Sequence, residues 1–144
     1  MPITFHNADI KFRVADSAGL KTFIERRVLS ESKKKLQLSY VFCSDTFLLD
    51  INKQFLNHDF YTDIITFPLS ENAKEIEAEI YISIERVKEN ATGLKIDFKD
   101  ELMRVLFHGV LHLLGFKDKT KTQEKAMRAK ENEWIALYWQ QKRK

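Results

Sequence analysis

The stretch that most constrains what this chain can fold into runs from Asp97 to Asp118, DFKDELMRVLFHGVLHLLGFKD. Apolar residues recur on almost every side of it, so it reads as a helix buried in a core. At about 100° per residue one polar stripe survives, made of Glu101, Arg104, His108 and His112 within an arc of roughly 80°. Two histidines one turn apart on a buried helix cost free energy unless something satisfies them. Gly115 lets the chain turn sharply out of the helix, and Asp118 follows. The expectation is that His108, His112 and Asp118 hold a metal ion and that the rest of the chain builds a cleft over it.

Histidines at i and i+4 present their imidazoles side by side, which is how one helix offers two nitrogens to one ion. The third ligand must come from another direction, and the turn at Gly115 can bring Asp118 back. The pattern H-x3-H-x2-G-x2-D has the metzincin spacing, with Gly109 in place of the catalytic Glu and Asp118 in place of the third His. Three protein ligands leave a position open for water, and two His with one carboxylate suit zinc, with Mn, Ni or Fe as other occupants. The competing reading makes the histidines hydrogen-bonded core residues and Asp118 a helix cap. Gly109 cannot take a proton, so peptide hydrolysis by the HExxH route is disfavoured. A metal-activated water attacking another electrophile fits better.

A chain of 144 residues with 44% hydrophobic and 31% charged residues suits one soluble domain spanning 1–144. The single cysteine, Cys43, excludes an internal disulfide. The N-terminus has no apolar signal core, and no run approaches the ~20 apolar residues of a membrane span, so a cytoplasmic protein is expected. Net charge is +3. Residues 117–144 carry nine Lys/Arg against four acids, whereas the preceding residues are slightly acidic. That surplus lies at and after the histidines and suits a polyanion such as RNA. Lys117, Lys119 and Lys121 are the candidate RNA contacts. Arg104 is a candidate phosphate contact, with pairing to Glu101 as its alternative role.

Along the chain, Ile3–Asn7 reads as a strand, and Ile10, Phe12 and Val14 alternate as a second extended run. Asp16 or Ser17 should cap a helix burying Leu20, Phe23, Ile24 and Val28. Residues 37–43 form a strand with Leu38, Val41 and Phe42 apolar. Ser44 or Asp45 caps a helix with Phe47, Leu48, Ile51 and Phe55 inward. Asn52 lies on that inner stripe, where its amide needs a partner. Residues 64–67 form a short strand stopped by Pro68. Residues 77–83 alternate most clearly, which suggests an antiparallel or edge strand. Ser83 caps a helix ended by Gly93, and Thr120 with Gln123 resembles a capping box. Met127, Trp134, Leu137 and Tyr138 are the apolar face of the last helix. About four strands and five helices, without strict alternation, predict an α+β fold with helices on a small mixed sheet.

HGVLHLLGFKD resembles the signature H-G-x-L-H-L-x-G-Y-D-H of the YbeY family of metal-dependent endoribonucleases. The resemblance extends to Asn52, to the Thr62–Phe67 run, similar to the family's T-D-V-L-S-F, and to Glu79–Ser83, similar to its G-D-I-x-I-S strand. It implies a zincin-like α+β fold, one zinc ion, and cleavage of single-stranded RNA in small-subunit (16S) rRNA maturation and ribosome quality control. The assembling small ribosomal subunit is the implied partner. Two departures stand out: in the gap-free register Asp118 replaces the third His, and Leu56 stands where the family has an Arg beside its aromatic residue. Two other readings remain: an rRNA-binding assembly factor with a mainly structural metal, and a metallohydrolase of another substrate. Phe60, Tyr61 and Phe116 are candidate base-stacking residues.

Overall fold

The computed structural model describes residues 2–70 and 72–143. Glu71, in the polar connection expected after Pro68, and Lys144 of the basic tail lie outside the described residues. The elements run β1 (Ile3–Asn7), α1 (Ser17–Ser32), β2 (Lys35–Cys43), α2 (Asp45–Leu56), β3 (Ile64–Pro68), β4 (Glu75–Ser83), α3 (Ile84–Leu94), α4 (Phe98–Leu113) and α5 (Lys121–Lys142). The fold is α+β: five helices pack on one mixed four-stranded sheet of order β1-β2-β4-β3. β1, β2 and β4 are parallel and β3 is antiparallel to β4. No helix among the described residues is long and apolar enough to cross a membrane.

Period-two alternation explains the layers. Leu38, Tyr40 and Phe42 of β2, and Ile76, Ala78, Ile80 and Ile82 of β4, face one side and form the main core with α1, α4 and α5. The opposite face carries a smaller cluster, Cys43, Leu48, Ile51 and Ile65, under α2. α4 fills the main core, burying Leu102, Met103, Val105, Leu106, Phe107, Val110 and Leu111. The fully buried Tyr40 hydroxyl donates to the Leu106 carbonyl at 2.8 Å and fixes α4 on the sheet.

Several expectations are corrected. β4 pairs antiparallel with β3, one of the two arrangements its alternation suggested, but it is not an edge, because β2 pairs with it on the other side. Its alternation reports one incompletely covered face, where Glu75, Glu77 and Phe67-paired Glu79 lie, and not a sheet edge. In β2 the inward apolar residue is Tyr40, while Val41 points to the other face. Residues 10–14 pair with no strand. Asp16 adopts a left-handed conformation (φ 56°) and makes no side-chain cap. Its carboxylate instead accepts from the Tyr138 hydroxyl and pairs with Lys142 across the molecule. α3 continues through Gly93 and ends at Lys95, again left-handed. Phe55 is 68% exposed: it meets only the edge of the patch beneath α2, through Phe67, with ring centroids 6.0 Å apart. Ser44 and Ser83 cap α2 and α3, and Thr120 with Gln123 closes a capping box on α5.

Candidate active site

α4 carries the site out of the core. Along its polar stripe Glu101 is buried, Arg104 and His108 are half-buried, and His112 is exposed. The histidine pair therefore stands at the rim of the core, not inside it. The helix ends at Leu113, and Gly115, at φ 108°, takes a conformation that only glycine adopts without strain. The turn brings the Asp118 carboxylate to 3.3 Å from His108 Nε2.

Both imidazoles are held through Nδ1. His108 Nδ1 lies 2.7 Å from Glu131 Oε2, and His112 Nδ1 lies 3.0 Å from the Phe116 carbonyl oxygen. A carbonyl only accepts, so His112 donates from Nδ1, which in the neutral ring leaves the lone pair on Nε2. The same arrangement at His108 gives the carboxylate–histidine pairing that orients metal ligands. Hydrogen bonding to Glu131 raises the His108 pKa, while burial opposes it. Glu131 is 4% exposed, and burial would push its carboxyl up. Hydrogen bonds from His108 and Arg104 outweigh this and hold its pKa below the usual range.

The donor set fits a zinc-like ion in kind. Two ligands of one tetrahedral zinc at 2.0–2.1 Å stand about 3.3 Å apart, the separation found between His108 Nε2 and Asp118. The two imidazoles are nearly parallel (12°) with centroids 6.4 Å apart, about 1 Å wider than two imidazoles bound to one such ion. As they stand, no three His, Cys, Asp or Glu side chains among the described residues are arranged to hold a metal ion.

Arg104 is committed elsewhere. Its guanidinium donates to Glu131 Oε1 at 3.0 Å and to Asn132 Oδ1 at 2.7 Å; it does not pair with Glu101. It borders a cavity with His108 and Asp118, but its donors serve α5. Glu131 escaped the sequence reading because Lys130, Asn132 and Glu133 surround it. One signal was available: Met127, Glu131, Trp134 and Tyr138 share one helical stripe, and all four are buried.

Gly109 faces the sheet. A Cβ built there would meet Ile80 Cδ1 at 2.8 Å and Ile64 Cδ1 at 3.1 Å. The Glu of HExxH has no room at this position.

Three cavities meet at His108 and Asp118. The largest, about 940 Å³, is bordered by Lys121, Lys125 and Arg128. These residues are spaced i, i+4, i+7 and form one face of α5. Lys121 thus borders the cleft, Lys125 and Arg128 join it, and Lys117 and Lys119 border none of the three. A second cavity, about 360 Å³, holds His108, His112 and Asp118 opposite Leu56, His58, Phe60 and Asp63. Of the three candidate stacking residues only Phe60 borders it. Tyr61 lies under Arg86, and Phe116 packs on the core.

Two carboxyls at the third cavity are perturbed. Burial raises the pKa of Asp63, opposed by the His108 charge. Burial, then the nearby Asp63 charge, raises that of Glu101. Glu101 Oε1 is buried with no hydrogen-bond partner, so its charged form is disfavoured. Below about pH 4.5 the group is neutral folded or unfolded. Above that the unfolded chain ionises first and the native state loses relative stability. Glu101→Gln is therefore expected to match wild type in thermal melts at pH 4. By pH 7 it should melt about 3 °C higher, for ~1 kcal/mol. Equal melting temperatures at both pH values would show that Glu101 carries its charge without penalty.

An α+β protein with a solvent-open His–His–Asp cleft at the end of its central helix is thus defined. A family model described as Endoribonuclease YbeY matches residues 3–138. The chain is 46% identical over 132 residues to an Endoribonuclease YbeY of Flavobacterium psychrophilum, covering 92% of this chain and 94% of that protein. It is 47% identical over 135 residues to one of Cytophaga hutchinsonii, covering 94% of each. The solution structure of a Thermotoga maritima protein superposes with a TM-score of 0.63 at 28% identity, covering 98% of this chain and 91% of that one. The chain belongs to the endoribonuclease YbeY family.

Proposed function

We propose that this chain is a metal-dependent endoribonuclease that cleaves single-stranded RNA in small-subunit rRNA maturation. The observation that carries the metal-centred reading is that both histidines are anchored through Nδ1, with Nε2 left to face a cleft shared with Asp118. His108, His112 and Asp118 would hold the ion, zinc in the first instance. When bound, it supplies Lewis acidity toward a phosphoryl oxygen and makes an incoming water more acidic.

The chain's own residues supply the rest. Lys121, Lys125 and Arg128 form the phosphate-binding wall. Glu131 holds the His108 ring, and Arg104 neutralises Glu131 so that the carboxylate stays in place. Asp63, which borders the same cleft as His108 and whose carboxyl pKa is raised by partial burial, would take the proton from the attacking oxygen. The sheet-facing Gly109 leaves no Glu for peptide hydrolysis.

The test compares wild type with His112→Ala on single-stranded RNA and on a peptide, each with and without chelator. Wild type should cut the RNA alone, and both chelator and the substitution should abolish cutting. RNA bound equally by both proteins and cut by neither would leave an rRNA-binding assembly factor instead.

A further inference from the structure

The wall opposite the histidines has a composition that phosphate binding does not explain. In the 360 Å³ cavity His108, His112 and Asp118 face Leu56, His58 and Phe60. Leu56 is 40% and Phe60 55% exposed, and His58 is exposed too. The His58 and Phe60 rings are already stacked, with centroids 5.0 Å apart and planes at 22°. The loop that carries them is built. Asn52, 1% exposed, donates from Nδ2 to the Phe60 carbonyl at 2.9 Å. The Asn52 backbone carbonyl accepts from His58 N at 3.1 Å, and Asn57 turns the chain in a left-handed conformation. A buried amide thus fixes the backbone of the loop from which the exposed Phe60 ring projects at the mouth of a cleft. Packing does not account for that, because Phe60 contributes to neither hydrophobic cluster.

We infer that His58 and Phe60, flanked by Leu56, form a stacking platform for one unpaired nucleobase next to the scissile position. The inference deepens the RNA-cleaving function proposed above and rests on it. Charge decides between nucleic acid and protein as the occupant. The same cleft continues past Asp118 into the Lys121–Lys125–Arg128 face, so a ligand crossing it must offer both an apolar π-face and anionic groups. Single-stranded nucleic acid offers both at every residue, and an aromatic ring accepts any base because every base has a π-face. Leu56 occupies the position where the resembling signature carries an arginine. On that wall this chain therefore offers an apolar side chain beside the two rings.

The experiment measures binding by fluorescence anisotropy, with chelator present so that nothing is cut. The probes are a 5′-labelled adenylate hexamer and the same backbone carrying tetrahydrofuran in place of every nucleoside. Wild type should bind the hexamer about tenfold more tightly than the base-free strand. Phe60→Ala and the size-conserving Phe60→Leu should both lose most of that preference while binding the base-free strand as wild type does. Thermal melts check that the exposed substitutions leave the fold intact. If wild type binds the two strands equally, or if Phe60→Leu keeps the full preference, the platform is refuted. Phe60→Ala that binds both strands normally but no longer associates with small ribosomal subunits would assign the patch to protein docking and also refute it. Failure of the enzymatic reading registers separately, as RNA cutting that survives in His112→Ala.

Discussion

Glu131→Ala is expected to lower stability by about 2–3 kcal/mol and to weaken zinc binding by about 10–100-fold. The substitution strands two groups at once. Arg104 loses its 3.0 Å partner, and His108 loses the acceptor 2.7 Å from Nδ1. Removing one member of a fully buried pair costs about 3–5 kcal/mol. Arg104 keeps Asn132 and is partly solvated, its side chain 21% exposed, so the lower figure applies here. Thermal melting should fall by about 8 °C. The metal effect arises differently. Without Glu131 the His108 ring is free to rotate about χ2, and Nε2 is no longer aimed at Asp118. Glu131→Gln separates the two effects: its amide oxygen still accepts from Nδ1, so most of the metal affinity should return while the loss of charge opposite Arg104 still costs stability. Zinc competition against a chromophoric chelator, beside a melt, reads both. Equal zinc affinity in wild type and Glu131→Ala would show that the His108–Glu131 contact does not position a ligand.

That residue also marks the boundary of what could be read from the sequence. Local pattern revealed α4, its polar stripe, the turn at Gly115 and the element count, because each depends on residues within a few turns of one another. Glu131 depends on α5 packing against α4, a contact spanning more than twenty residues. The charges flanking it imitate a solvated face. Phe55 fails in the opposite direction: its helical spacing is right, but it reaches only the rim of the apolar surface, at Phe67. β4 is antiparallel to β3, as its alternation allowed, and misleads only in suggesting an edge. Alternation measures which faces of a strand are covered, and an interior strand with one poorly covered face has the same signature as an edge. Asp16 could not have been placed at all from its neighbours, since its partners, Tyr138 and Lys142, lie at the other end of the chain.

Gly109→Glu, which restores the HExxH pattern, is expected to abolish folding rather than create a peptidase. The position lies where α4 crosses β3 and β4, and a Cβ alone would already stand 2.8 Å from Ile80 Cδ1, 3.1 Å from Ile64 Cδ1 and 3.4 Å from Ile80 Cγ2. For Gly109→Ala two terms compete. Helix propensity favours Ala over Gly by about 1 kcal/mol, and overpacking costs about 1–3 kcal/mol. The atoms met first are ends of flexible isoleucine chains, so the net loss should be near 1 kcal/mol, about 3 °C in melting temperature. Glu adds four further heavy atoms and a carboxyl with no partner on that face. Ile80 is fully buried and cannot yield toward solvent. An unpaired buried carboxyl together with a forced helix displacement exceeds ~4–5 kcal/mol, against a total stability of about 5–15 kcal/mol. Gly109→Glu should therefore be largely insoluble or melt without a cooperative transition, and Gly109→Ala should melt cooperatively just below wild type. A soluble Gly109→Glu with a wild-type melt would mean that α4 can turn this face away from the sheet. The histidines would then lose their present direction, and the absence of Glu would no longer follow from packing.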